Sequence, residues 1–247
     1  MKISNVQTSS LQGVICMIHR KRVLAIIPAR GGSKGLTRKN IREVLDKPLI
    51  AWTIEEAKKS RYIDRLILSS EDKEIISVAE QWGCEVPFVR PLHLAQDETP
   101  GIDPVLHALQ CLPGYDLVVL LQPTSPLRTV EDIDCCIEMC VSKNAKACVS
   151  VTEPDKSPYC MYKLNENKQL QILLKTDSIS SRQIVPTVYS INGACYVADS
   201  NWLHQSKNFV TNDTVAYIMP KERSLDVDDE VDLEILKLML KRQGGRP

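Results

Sequence analysis

Two periodicities alternate along this chain. Apolar runs of strand length at Leu24 to Ile27, Asp64 to Ser70 and Asp116 to Leu121 stand between segments whose apolar residues recur at helical spacing. Those segments are Pro48 to Ser60, Lys73 to Trp82, about Gly101 to Cys111, and Val130 to Val141. Strands without polar alternation are covered on both faces, so the rhythm predicts βαβ units building a parallel sheet with helices on either side. Further strands are expected at Glu85 to Val89, Ala147 to Val151, Gly193 to Val197 and Thr214 to Met219, with a closing helix from about Glu230 to Arg242. From Pro154 to Ser190 the alternation lapses, which reads as an insertion or arm. Residues 1–20 read as a loose extension, and 21–244 as one domain. The expected fold class is α/β, with a doubly wound, mainly parallel sheet.

The polar residues gather where the first strand ends. Arg30, Gly31, Gly32, Ser33, Lys34, Gly35, Arg38, Lys39 and Asn40 follow Leu24 to Ile27 directly, and open α/β sheets bind ligands at the carboxyl ends of their strands. The glycines allow a tight turn and close approach of backbone N–H groups to an anion, and Arg30, Lys34, Arg38 and Lys39 supply charge. The spacing fits neither of the common phosphate signatures, so a solvated turn is the competing reading. A buried strand in front and four cations within ten positions favour a polyphosphate, with nucleotide phosphates the natural guest.

Two other segments bear on that guest. Asp116 to Leu121 runs into Gln122-Pro-Thr-Ser-Pro-Leu-Arg128, which implies a second pocket wall, and an amide such as Gln122 at the end of a buried strand needs partners that a ligand can supply. In Ser224-Leu-Asp-Val-Asp228 the two carboxylates share a face if the segment is extended, an arrangement suited to Mg²⁺ shared with substrate phosphates. Asp228, Asp229 and Glu230 could equally cap the last helix, and both readings can hold together.

Composition narrows the rest. Lys+Arg and Asp+Glu both total 31, so no global field draws the chain to nucleic acid or membrane. No apolar run reaches the roughly 20 residues of a membrane span, and the first ten residues lack signal-peptide character, so a cytoplasmic protein is expected. Nine cysteines without a C-x-x-C pair read as reduced core filler, Cys136 and Cys140 included, and His107 as packed.

Arg30 to Asn40, Leu121 to Arg128, Asn192-Gly-Ala-x-Tyr196 and Ser224 to Asp228 occur in an order that resembles the acylneuraminate cytidylyltransferases, or CMP-sialic acid synthetases, over roughly nine tenths of the chain. The resemblance implies a Rossmann-like domain with a small dimerisation arm at about 154–190, a homodimer, and condensation of CTP with a nine-carbon 2-keto sugar acid. It implies that Arg30, Gly31, Gly32, Ser33, Lys34 and Lys39 hold the triphosphate, with Arg30, Lys34, Lys39 and Asp226 catalytic, and that Asn40 orders the loop. Arg90 would approach the cytidine, Gln122, Ser125, Asn192 and Tyr196 the sugar, and Arg182 the neighbouring subunit's substrate; Asp226 and Asp228 would ligate Mg²⁺. Read from the residues alone, Arg90 is a salt-bridge arginine and Tyr196 a strand residue. Thr37, Glu71 and Ser190 depart from the family's usual proline, aspartate and arginine, and Ser190 points to a related nonulosonic acid such as legionaminic or pseudaminic acid. The alternatives are another sugar nucleotidyltransferase or a non-catalytic nucleotide-binding module.

Overall fold

The computed structural model describes residues 18, 20–32, 35–174 and 186–244. Six strands form the main sheet in the order β10-β6-β9-β5-β1-β4: β1 (Val23–Pro28), β4 (Arg65–Ser69), β5 (Leu117–Leu120), β6 (Ala147–Thr152), β9 (Ser190–Asp199) and β10 (Val215–Ile218). All run parallel except β9, which is inserted antiparallel between β5 and β6. The expected mainly parallel, doubly wound sheet is therefore present, with one reversed strand at its centre.

Alternate residues of each strand enter opposite layers. Val23, Ala25 and Ile27 pack with α1 (Leu49–Lys58), α2 (Lys73–Gln81) and α4 (Val130–Ser142), whereas Leu24 and Ile26 pack with α3 (Asp103–Cys111) and α5 (Ser200–Ser206). Cys136 and Cys140 fill the first layer, and the eight described cysteines are unpaired. Ile18, which the sequence assigned to a loose extension, is also buried there, with its carbonyl accepting from Lys21 N at 2.8 Å. A third cluster joins α6 (Glu230–Gly244) to Leu36, Leu127 and Val227, beside the carboxyl edge of the sheet.

The expected strand at Glu85 to Val89 shrinks to one parallel bridge, Ile67 to Glu85. Pro87 has no N–H to extend the ladder, and Val89 turns out to solvent. Within the expected arm, β7 (Tyr162–Leu164) and β8 (Leu170–Ile172) form a separate antiparallel hairpin with exposed side chains. A second hairpin, β2 (Glu43–Val44) and β3 (Lys47–Pro48), precedes α1.

Candidate active site

A cleft of about 550 Å³ opens at the carboxyl ends of β1 and β5. Arg30, Gly32, Lys39 and Asn40 form one side, Gln122 to Thr124 a wall, Arg90 and the 94–104 segment another, and Tyr196, Phe209, Asp226 and Asp228 complete it. Nine of the residues that the sequence assigned to the site therefore meet in one place: Arg30, Gly32, Lys39, Asn40, Arg90, Gln122, Tyr196, Asp226 and Asp228. Ser33, Lys34 and Arg182 lie outside the described residues.

The glycine loop is held from beneath. Gly31 N donates to Glu71 Oε1 at 2.7 Å, so this N–H, expected on a phosphate, is already committed to a carboxylate. Asn40 Nδ2 donates to Arg30 O at 3.0 Å and closes the loop. Arg38 is the departure among the three described cations: in left-handed conformation (φ 58°) it turns away, its guanidinium on Asp72 and Glu74 at the start of α2. Asp72, already accepting from Glu74 N and Ile75 N as the helix cap, is a ready counter-ion there. Arg30 and Lys39 keep their charge at the cleft, paired to Asp97 (2.8 Å) and Asp228 (3.0 Å), two carboxylates that line the same space.

The acidic segment is extended for a tertiary reason. Leu225 and Val227 pack into the cluster around α6, and Val227 N donates to Thr124 O at 2.8 Å, which leaves Asp226 and Asp228 on the cleft side. Of the residues expected to cap the last helix, Asp229 does so, its Oδ1 accepting from Val231 N and Asp232 N, while Asp232 Oδ2 accepts from Asp228 N and Asp229 N. Burial raises the Asp226 pKa and the Asp228 charge adds to it, against a Thr124 hydrogen bond and Lys39. Its Oδ1 is buried without a hydrogen-bond partner among the described residues. Gly35 backs this segment closely, since a Cβ there would lie 2.5 Å from Asp228 O.

Two expected sugar contacts are redirected. Asn192 sits in a β-bulge of β9, where it uses its whole amide: Oδ1 accepts from Ser150 Oγ (2.6 Å) and Ala194 N (3.2 Å), and Nδ2 donates to Ser224 Oγ (2.9 Å). It braces the acidic segment instead of lining the cleft. Ser125 turns inward in the tight backbone after Gln122 and is wholly buried, its Oγ without a hydrogen-bond partner among the described residues. Tyr196 does reach the cleft, its ring 5.4 Å from that of Phe209. Arg90 lines the cleft too, but its guanidinium is anchored on Glu71 (2.6 Å) and Ala29 O (3.0 Å), a buried salt bridge.

Comparison with known proteins assigns this architecture. A model of the cytidylyltransferase family matches residues 24–216. The chain belongs to the cytidylyltransferase family. It is 35% identical over 218 residues to an N-acylneuraminate cytidylyltransferase of Escherichia coli O18:K1:H7, covering 87% of this chain and 51% of that protein. The match to the pseudaminic acid cytidylyltransferase of Campylobacter jejuni (serotype O:23/36) is 35% over 223 residues, 88% of this chain and 96% of that one. The chain thus spans about half the length of the first relative and nearly all of the second. A CMP:2-keto-3-deoxy-manno-octonic acid synthetase solved with CTP has the same fold, at TM-score 0.68 and 14% identity over 90% of this chain and 99% of that one.

Several residues that support this cytidylyltransferase cleft from behind were given no role by the sequence. Glu71 supports both Gly31 and Arg90. Arg128, fully buried, bonds to the carbonyls of Ala194 and Gln122 and to Thr53 Oγ1, and burial lowers its pKa to about 10. No carboxylate lies within ion-pair distance of it among the described residues. Asp132, the third residue of α4, takes Arg223 in two bonds of 2.7 and 2.8 Å and so anchors the approach to Asp226. The usable signal was position: Glu71 comes just after the expected 64–70 strand, Arg128 ends the 122–128 motif, and Asp132 lies in the first turn of the helix that follows it.

Proposed function

We propose that this cytidylyltransferase condenses CTP with a nonulosonic, sialic-type acid to give a CMP-sugar and pyrophosphate. The observation that carries the reading is the convergence of Arg30 and Lys39 with Asp226, Asp228 and Gln122 on one cleft at the carboxyl edge of the sheet. The names of the two relatives support the substrate class.

In this reaction the sugar's anomeric hydroxyl attacks the α-phosphorus, a new P–O bond forms as the bond from the α-phosphorus to the bridging oxygen breaks and pyrophosphate departs, and the hydroxyl proton passes to solvent. The protein's part is positioning and charge neutralisation. Arg30 and Lys39 exchange their resting carboxylates for phosphate oxygens, with Lys39 on the departing pyrophosphate. Gln122 and Tyr196 face the sugar. The oxygen donors of Asp226 and Asp228, one of them a buried oxygen without a partner, fit Mg²⁺ completed by phosphates and water, although no group of three or more metal-binding side chains occurs among the described residues. When bound, such a cation neutralises phosphate charge and acidifies the sugar hydroxyl.

A homodimer through the arm is part of the proposal. Tyr162, Leu164, Leu170 and Ile172 on the β7–β8 hairpin are all more than half exposed, an apolar surface suited to a second copy. Use of CTP and the unpaired cysteines support a cytoplasmic location. No described helix is long and apolar enough to cross a membrane.

The test is incubation of the purified protein with CTP, Mg²⁺ and a panel of N-acetylneuraminic, legionaminic and pseudaminic acids, with products identified by mass. A CMP-sugar is expected from at least one acid, with Ser190 favouring a relative of sialic acid. Asp226→Ala and Asp228→Ala should abolish turnover while the fold persists. Equal pyrophosphate release with UTP or GTP, or unchanged turnover in both variants, would overturn the assignment.

A further inference from the structure

We infer that Glu71 is a positioning residue for the nucleotide, fixing the phosphate loop and Arg90 as one unit before the substrate arrives. The inference rests on the proposal that the cleft takes CTP. Glu71 stands two residues past the end of β4, and its side chain is 11% exposed. Its two oxygens serve two different walls. Oε1 accepts from Gly31 N at 2.7 Å, and Oε2 accepts from Arg90 Nη2 at 2.6 Å and Nε at 3.2 Å. Arg90 Nη2 also donates to Ala29 O at 3.0 Å, which closes the connection back to the residue before the loop.

The chemistry explains why a carboxylate stands here. Gly31 N–H and the Arg90 guanidinium are both donors, and a buried guanidinium without a counter-charge is costly. One bidentate acceptor satisfies both with charge-assisted bonds and makes their separation a fixed quantity. The backbone reinforces it: Ala29 N donates to Ser69 O and Arg90 N to Ser70 O, at 3.0 and 2.9 Å. Gly31 is pressed so closely on this exit that a Cβ would lie 2.4 Å from Asp72 Oδ2. Neither oxygen of Glu71 is needed by the reaction itself, so its effect reaches the substrate only through Gly31 and Arg90. Preorganisation of this kind shows in ligand affinity, since a looser loop must be ordered at the moment of binding.

The test uses the full chain with Glu71→Gln and Glu71→Asp. Binding of CTP is read by calorimetry without sugar, and KM values are read for CTP and for the acid. Glu71→Gln removes the charge at nearly constant shape, and the CTP Kd and KM are expected to rise about 10- to 100-fold, the scale of small misplacements around a site. The KM for the acid should stay within about twofold, and Glu71→Asp should recover part of the loss because the charge remains. A role in folding alone would instead lower kcat and melting temperature at unchanged KM, which would overturn the inference. Tighter CTP binding by Glu71→Gln would also overturn it, identifying the carboxylate as a competitor for the loop. A wild-type protein that binds CTP while its Glu71→Gln variant binds it equally well refutes only this inference. A wild-type protein that binds no CTP refutes the function as well.

Discussion

Replacing Gly193 by alanine separates the fold from the sugar side of the cleft. Gly193 lies in the bulge of β9 at φ +74°, the left-handed region, where an L side chain costs about 1–2 kcal/mol. A Cβ there would sit 2.7 Å from Gln122 Oε1 and 3.8 Å from Asp226 Oδ2. The second distance is ordinary contact, whereas the first forces the Gln122 amide to move. The amide is the free end of a flexible side chain, so its displacement adds little to the folding cost. The net expectation is a loss of about 1–2 kcal/mol, which for a chain of this size corresponds to a melting temperature lower by roughly 2–8 °C. Function should suffer out of proportion: kcat/KM for the sugar acid should fall about tenfold or more, since a misplaced contact near the reacting atoms is expensive. The KM for CTP should hold, because Arg30 and Lys39 are untouched. Thermal melting by circular dichroism and steady-state kinetics with each substrate varied in turn provide the two readouts. A normal rate with the acid despite the lowered melting point would refute the placement of Gln122 on the sugar, and an unchanged melting point would refute the strained bulge.

Three further outcomes follow from the same geometry. Burial opposes ionisation of Asp132, but Arg223, Thr129 N and Tyr217 outweigh it and hold the carboxyl below its ordinary 3.8; stability from this group is therefore complete above that value and lost as pH falls through the folded pKa. Asp132→Asn should cost about 3 kcal/mol at pH 7 and flatten the acid limb of a urea-midpoint against pH profile, and an unaltered acid limb would refute the pair's role. Val227→Ala, at a fully buried site, should lose about 2 kcal/mol in chemical denaturation and lower kcat by loosening Asp226 and Asp228; full kcat would show that the segment needs no such anchor. Leu164→Asp with Leu170→Asp should yield monomers in light scattering at a nearly unchanged melting temperature, and a persisting dimer would remove the hairpin from the interface.

Much of the architecture was legible because burial is written locally. Leu24 to Ile27 and Asp116 to Leu121 have too few polar residues to be anything but covered strands, and the helices α1 to α4 and α6 appear within a few residues of where apolar periodicity placed them. Pro87 was a readable warning against the 85–89 strand, and the seven-residue α5, following directly on β9, left no periodic signal of its own. The cleft's principal charges were visible as clusters of like residues, Arg30 and Lys39 in the loop after the first strand and Asp226 and Asp228 in the segment before the last helix.

Side-chain partnerships were not visible, because each is set by residues far away along the chain. Arg38 and Lys39 are adjacent and both cationic, yet one caps its charge on Asp72 and the other faces the cleft. Asn192 and Gln122 are both amides beside the sheet edge, but the antiparallel insertion of β9 and its bulge consume the first and leave the second at the cleft. The amino-acid sequence alone determined which residues must leave water, hence the layers of the sheet and the loop of glycine and cation at its edge. Only the tertiary structure decided which polar groups were satisfied inside the protein and which remained for a ligand, because hydrogen-bond valence is used up by neighbours that the strand order brings together.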